Sequence, residues 1–304
     1  MTIRTIGPEA ERHLDWMDLT RAIAAGHDLP RAEIDDTFLY RGSDTMLSRA
    51  AWIDGLGALV KTAMIFPGNK DHGKPAVVGG VSLFSDDDGT LSAMIDFGLV
   101  TKWKTAGDSL LAATRLARPD SRRILIVGSG AVARSLHEAY SAAFPDAAFT
   151  VWSRTEDTAR AFARDLGIDH APDLATAVGA ADIVTCATMT TEPILRGEWL
   201  RPGQHIDLIG AYRPDMREAD DDVLRRSTIF VDARATTLDH IGELKIPLAS
   251  GAIARDDVVA DYYDGDAMAR TSDGQITLFK NGGGAHLDLM TARYILDAVD
   301  GAVG

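Results

Sequence analysis

Six consecutive residues, Gly128-Ser129-Gly130-Ala131-Val132-Ala133, have the types and spacing needed to hold a pyrophosphate. The first glycine lets the chain turn sharply. The second lets backbone amides approach phosphate oxygens, and the small sixth residue lets a helix pack closely on a strand. The run follows Ile124-Leu125-Ile126-Val127, a short apolar strand, and precedes a helical pattern over 130–143. A helix opening at this point would offer free N–H groups and a partial positive charge to the phosphates. The expected ligand is a dinucleotide held by Gly128, Ser129, Gly130, Ala131 and Val132. Where an acidic residue at the end of the second strand would grip ribose hydroxyls, this chain has Ser153-Arg154-Thr155. A guanidinium and two hydroxyls suit a 2′-phosphate, so NADPH is expected in preference to NADH.

A second residue with chemistry in it is Lys61, inside Leu59-Val60-Lys61-Thr62-Ala63-Met64. An ammonium in so apolar a strand either points into a wet or paired site or lies on the solvent face of an edge strand. Asp220 opens Asp220-Asp221-Asp222, a run that the positive end of a helix would favour. His205, His240 and His286 have no H-x-x-x-H spacing, and one cysteine, Cys186, cannot form an intramolecular disulfide or a thiolate metal site. No metal is expected.

The elements that must position these residues divide the chain in two. Residues 45–53, 58–66, 76–84 and 91–100 read as strands, with Asp86-Asp87-Asp88-Gly89 as a hairpin turn and a helix from Asp108 to Ala117. From about residue 106 strands and helices alternate. Strands are expected at 124–127, 149–152, 182–186, 205–209 and 228–231, which implies parallel pairing. A last helix, 285–299, is expected to pack back on the N-terminal part. The fold class is α/β: a Rossmann-type doubly wound parallel sheet over 106–285, plus a smaller α+β domain from 1–105 with 286–304.

The 304 residues carry 46% hydrophobic and 25% charged side chains, with 31 basic against 45 acidic. That is ample for a packed core, and a net charge of −14 argues against nucleic acid as a partner. No stretch reaches the roughly 18 apolar residues of a membrane span. The charged N-terminus and single cysteine make the cytoplasm the expected location.

The glycine loop and Trp152-Ser153-Arg154-Thr155 join several distant segments: Val60-Lys61, Phe66-Pro67-Gly68-Asn69, Lys104-Thr105-Ala106, Gly210-Ala211-Tyr212-Arg213-Pro214 with Asp220, Gly242-Glu243-Leu244 and Thr277-Leu278-Phe279-Lys280-Asn281. In this order they resemble the ornithine cyclodeaminase/mu-crystallin family. The resemblance implies a nicotinamide-dependent oxidoreductase acting on small amino or imino acids, with a separate substrate and dimerisation domain and a homodimeric assembly. It also implies roles for particular residues. Lys61 would hold the substrate carboxylate or orient its imine. Asp220 would face the substrate nitrogen as a proton donor or stabiliser. Arg41, Arg49 and Lys104 would line the substrate cleft, and Thr105, Thr188, Met189, Gly210 and Asn281 would adjoin the cofactor.

Departures narrow the activity. Where many members carry Arg-Thr-Ala-Ala, this chain has Lys104-Thr105-Ala106-Gly107. Arg49-Ala50 replaces Met-Pro, and Leu47 stands where the deaminating branch uses an acid. The run Trp103 to Ala106 with Asp108-Ser109 is similar to reductases of Δ1-pyrroline-2-carboxylate. The expected reaction is hydride transfer to the C=N carbon of a small cyclic ketimine, giving L-proline, with the six-membered Δ1-piperideine-2-carboxylate as a further substrate. The alternatives are cyclodeamination with ammonia release, oxidation of an acyclic amino acid, and a crystallin-like binder without turnover.

Overall fold

The computed structural model describes residues 3–303. The chain forms two compact units, Met1–Lys104 with Gly284–Gly304, and Thr105–Gly283.

The first unit is built on a six-stranded sheet. In chain order its elements are β1 (Arg4–Ile6), α1 (Trp16–His27), β2 (Glu33–Arg41), β3 (Asp44–Ile53), β4 (Gly57–Ile65), β5 (Val77–Phe84) and β6 (Leu91–Asp96). The sheet order is β1-β6-β5-β4-β3-β2, an antiparallel meander with β1 added in parallel at one edge. Alternation sets the two faces. Leu59, Lys61 and Ala63 on β4 are buried, as are Ala51 and Ile53 on β3. The chain's last helix covers this face: it runs Ala285–Val303 and packs on α1, β3 and β4. It buries Leu287, Leu289, Met290, Ala292 and Ile295. The residues expected to return to the N-terminal part do so.

The strand expected over 91–100 ends at Asp96, and helix α2 (Phe97–Leu116) begins at once. Asp108, expected near the start of a helix, is in its middle and fully buried. The reason is a different cap: the Asp96 carboxylate accepts from Leu99 N at 2.7 Å and satisfies the first turn.

In the second unit the elements after α2 are β7 (Arg123–Val127), α3 (Ala131–Ala143), β8 (Ala148–Trp152), α4 (Glu156–Leu166), β9 (Asp169–His170), α5 (Leu174–Ala180), β10 (Ile183–Cys186), β11 (His205–Leu208), α6 (Asp221–Arg225), β12 (Thr228–Val231), α7 (Arg234–Thr237), α8 (Gly242–Ser250), β13 (Val258–Ala260) and β14 (Thr277–Lys280). Helix Ala285–Val303 is therefore α9. Eight strands pair in the order β13-β12-β14-β11-β10-β7-β8-β9, every pair parallel. The last strand in sequence, β14, inserts between β11 and β12. Its Thr277, Leu278, Phe279 and Lys280 are all buried, as are the four residues of β10 and of β11. Strands buried on both faces are what a doubly wound sheet requires. No helix among the described residues is long and apolar enough to cross a membrane.

Candidate functional site

In the first unit, one register row of the sheet carries three charges. Asp36 on β2 pairs with Arg49 on β3, and Arg49 pairs with Lys61 on β4. Directly opposed residues share a face, so all three side chains project toward the side covered by α9. Arg49 holds Asp36 through two nitrogens, Nη2 to Oδ2 at 2.7 Å and Nε to Oδ1 at 3.3 Å. From α9, Asp288 reaches down to the row. Its Oδ1 accepts from Lys61 Nζ at 2.8 Å, and its Oδ2 is 3.8 Å from Arg49 Nη1. Lys61 Nζ also lies 4.8 Å from the centre of the Phe97 ring. Lys61, Lys104, His286 and Asp288 are all buried.

Such crowding of charge away from water perturbs Lys61, Asp288 and His286. Burial pushes the Lys61 ammonium below its ordinary range; Asp288 opposes that shift, and Lys104 and Arg49 add to it. For Asp288 burial alone would raise the carboxyl, but Lys61, Lys104 and Arg49 outweigh it and hold it below the usual range. Burial, helped by Lys104, pushes His286 down to about 3, so it is neutral at pH 7. The cluster is a largely buried cationic site with its own internal carboxylate.

Lys61, Arg49 and Lys104 are thus brought together. Arg41 is not. It sits at the exposed β2–β3 hairpin, paired with Asp44 at 2.9 Å, and its guanidinium stacks 5.5 Å from the Phe66 ring. The pair Arg41–Asp44 is five residues along β3 from Arg49, or roughly 17 Å at strand rise. Asp288 was missed in sequence because it falls within a helix read only for its apolar spacing. The available signal was an aspartate beside Leu287 and Leu289, on a helix whose neighbours are apolar.

In the second unit, the glycine loop joins the C-terminal end of β7 to α3. Gly128 has φ +117°, and a Cβ on it would meet Ala187 O at 2.8 Å, so the turn itself demands glycine. Gly130 is different. A Cβ there would meet nothing within 4 Å, so the chain's own packing does not require glycine. It is the N-cap of α3 with no side-chain hydrogen bond, leaving the first-turn N–H groups of Ala131, Val132 and Ala133 to an outside acceptor. Ala131 and Val132 are exposed. Beside the loop, Ser129, Ser153 and Thr158 form a triangle of hydroxyls with edges of 3.1 to 3.3 Å. Arg154 and Thr155 are exposed at the end of β8, and Thr155 is the N-cap of α4. Open space over Gly130, uncapped amides and nearby hydroxyls fit a dinucleotide.

The loops after β10, β11 and β14 are tied together by a buried acid and a buried base. Glu218 accepts from Thr188 N and Oγ1 at 2.7 and 2.8 Å, from Gly210 N at 2.7 Å and from Ala211 N at 3.2 Å. Lys280 Nζ donates to the carbonyls of Leu208, Ala211 and Asn281 at 2.8 to 2.9 Å. Gly210 is needed where these loops cross, since a Cβ would lie 2.0 Å from Thr188 O. Asn281 Nδ2 donates to Thr105 O and Ser109 Oγ, both at 3.1 Å. Met189 stands out at 71% exposed. Behind Glu218, Glu243 accepts from Glu218 N and Ala219 N, and burial together with Glu218 pushes its carboxyl up to about 7. Glu218 was not singled out from sequence, and Glu243 entered only within the segment Gly242-Glu243-Leu244, without a role.

Asp220, expected to face a substrate nitrogen, is a helix cap. Its Oδ1 accepts from Val223 N at 2.9 Å, closing the first turn of α6, and from Gly197 N at 3.1 Å. Satisfying two amides commits this oxygen to the fold, and the run Asp220-Asp221-Asp222 is the helix-start signature that its composition suggests. Cys186 is a buried free thiol, and burial pushes its pKa up well above the ordinary range. Among the described residues no group of three or more His, Cys, Asp or Glu could hold a metal ion.

The comparisons with known proteins agree with this architecture. The chain is 50% identical over 302 residues to the Delta(1)-pyrroline-2-carboxylate reductase of Paracoccus denitrificans, covering 96% of each chain. It is 34% identical to the ketimine reductase mu-crystallin of Mus musculus, over 78% of this chain and 75% of that one. The solved structure of Thermococcus litoralis Delta(1)-pyrroline-2-carboxylate reductase, in complex with NADH and L-proline, has the same fold, with a TM-score of 0.88 over 99% of this chain and 98% of that one at 24% identity. The family model for ornithine cyclodeaminase/mu-crystallin proteins matches residues 51–302, from the end of β3 through the whole parallel sheet into α9. The match therefore takes in Lys61, the glycine loop and Asp288 together, and the chain belongs to the ornithine cyclodeaminase/mu-crystallin family.

Proposed function

We propose that the protein is an NAD(P)H-dependent ketimine reductase that converts Δ1-pyrroline-2-carboxylate to L-proline. The observation that carries this reading is the 50% identity, over nearly the full length of both chains, to a reductase named for that substrate. The cationic cluster supplies its physical rationale. A small imino acid presents one carboxylate, and Arg49, Lys61 and Lys104 offer charge-assisted hydrogen bonds to it in a largely buried site, where such bonds are strongest.

The chain's residues divide the work. Arg49, fixed by Asp36, keeps Nη1 for the substrate carboxylate, while Lys61, fixed by Asp288, presents its ammonium beside it. Holding a flat ring in one orientation converts an encounter into an intramolecular step. Gly128, Ser129, Gly130, Ala131 and Val132 would hold the pyrophosphate, and Thr105, Thr188, Met189 and Asn281 would border the nicotinamide end. Bound nicotinamide supplies the hydride, the hard part of the chemistry. In this reading the second unit is the dinucleotide domain and the first is the substrate and dimerisation domain.

Two finer features belong to the same proposal. Ser153, Arg154 and Thr155, with no acidic residue among them, favour NADPH over NADH. A single cysteine, Cys186, suits work in the reducing cytoplasm. A homodimer is supported by the outer face of the first unit's sheet. There Leu39, Trp52, Val78 and Met94 are exposed on the side opposite Lys61, an apolar surface suited to a second copy. Consumption of NADPH or NADH with freshly prepared Δ1-pyrroline-2-carboxylate, with L-proline as product, tests the proposal. Ammonia release from ornithine without net cofactor change would replace it with cyclodeamination.

A further inference from the structure

Around Lys61 the charged groups come from three elements besides its own: Asp288 from α9, Arg49 from β3 and Lys104 from α2. Asp36 faces Arg49 from β2, and His286 beside them is neutral at pH 7. Three cations against two carboxylates, the buried Asp288 and the more exposed Asp36, leave one positive charge at a largely buried site. That excess is costly for an empty site and is the charge a single carboxylate cancels.

Asp288 is what keeps the excess to one. It is fully buried and reaches from α9 to hydrogen-bond Lys61, with Arg49 beside it. Its oxygens are not equally used. Oδ1 accepts the hydrogen bond from Lys61 Nζ, while Oδ2 has no hydrogen-bond partner and faces Arg49 Nη1 at 3.8 Å. A carboxylate placed for stability alone would have both oxygens satisfied, and buried ion pairs are often replaceable by apolar residues without loss of stability. The lopsided bonding leaves Arg49 Nη1 outside hydrogen-bonding range of Asp288 and open to another acceptor.

We propose that Asp288 is the positioning residue of the substrate site. It holds Lys61 by a hydrogen bond and Arg49 by charge, helps Lys61 stay cationic, and leaves one net positive charge for a monocarboxylate. This rests on the ketimine-reductase reading and names the residue that makes its anion site work. Asp288 lies behind the cations and acts through them.

The test compares the full-length protein with Asp288→Asn, which keeps the shape and removes the charge. Two readouts are needed: turnover of Δ1-pyrroline-2-carboxylate, and binding of pyrrole-2-carboxylate, a planar monocarboxylate that cannot take up hydride. In Asp288→Asn the ring carboxylate should bind at least about tenfold more weakly, with KM rising more than kcat falls. The alkaline limb of binding should move to lower pH, because Lys61 loses the anion that keeps it protonated. Dinucleotide affinity should not change. A merely structural role would lower stability without moving that limb. Should Asp288→Asn not fold, Asp288→Glu keeps the charge on a longer arm and should hold the limb at the parent's pH while weakening binding. Unchanged binding and an unchanged limb in a folded Asp288→Asn would overturn the proposal, as would a shifted limb in Asp288→Glu. A parent protein that neither turns over the imine nor binds the analogue would instead sink the ketimine-reductase reading.

Discussion

Lys61 and Asp288, separated by 227 residues in sequence, meet at 2.8 Å between Nζ and Oδ1. The contact ties α9, at the far end of the chain, to the middle of the first unit's sheet. It also turns an isolated lysine in an apolar strand into part of a charged site. Replacing Lys61 with Met should therefore lower kcat/KM for the imine by about 10²-fold while dinucleotide binding persists. Steady-state kinetics beside a nucleotide titration checks this. Parent-like kinetics would remove Lys61 from the site.

The two loop glycines should fail differently when changed to alanine. Gly130→Ala adds a methyl to open space at an N-cap, so stability should fall by no more than about 1 kcal/mol while dinucleotide affinity falls about tenfold or more. Gly128→Ala meets Ala187 O and a positive φ, and should cost about 2 kcal/mol of stability. Urea unfolding of both variants, with and without nucleotide, separates the two effects.

Asp220 provides the sharpest test of role against position. As a cap, Asp220→Ala should lose about 1 kcal/mol of stability and Asp220→Asn much less, with kcat preserved in both. A collapse of kcat in Asp220→Asn at unchanged stability would return Asp220 to the chemistry.

Acid sensitivity should trace in part to His205. It is fully buried, with Nδ1 3.0 Å from Thr277 Oγ1, and burial with nearby Arg270 pushes it down to about 3 from 6.5. Between those values the unfolded chain binds a proton that the folded one does not, so stability falls as pH drops through the window, by up to about 1.4 kcal/mol per unit. His205→Asn removes this group's contribution. The urea midpoint of the variant should gain on the parent between pH 6.5 and 4, and a constant difference would contradict the assignment.

Cofactor choice should rest on Arg154. Arg154→Ser should raise KM for NADPH several-fold and leave NADH nearly unaffected. Equal effects on both would mean that the exposed guanidinium only solvates the start of α4.

What could be read in the sequence was local. The run from Val127 to Ala133 carries its own instructions: apolar strand, turn glycine, small residue, helix. The same holds for β8, β10, β11 and β12, each a compact apolar run. The insertion of β14 between β11 and β12 was not legible, because strand order is set by contacts between residues far apart. Asp108 shows the limit of reading an acidic residue as a helix start, and Asp220 shows that reading at work. Asp96 caps α2 twelve residues before Asp108, while Asp220 caps α6 where the acidic run begins. Asp288 and Glu218 escaped notice because a buried carboxylate is recognised by what surrounds it, and its partners come from other parts of the chain.

The central claim is tested most directly by following NADPH and NADH oxidation with fresh Δ1-pyrroline-2-carboxylate, in the parent and in Lys61→Met. The account predicts rapid oxidation in the parent with stoichiometric L-proline, nearly lost in the variant, and no ammonia released from ornithine. Tight nucleotide binding without oxidation of either cofactor would contradict it.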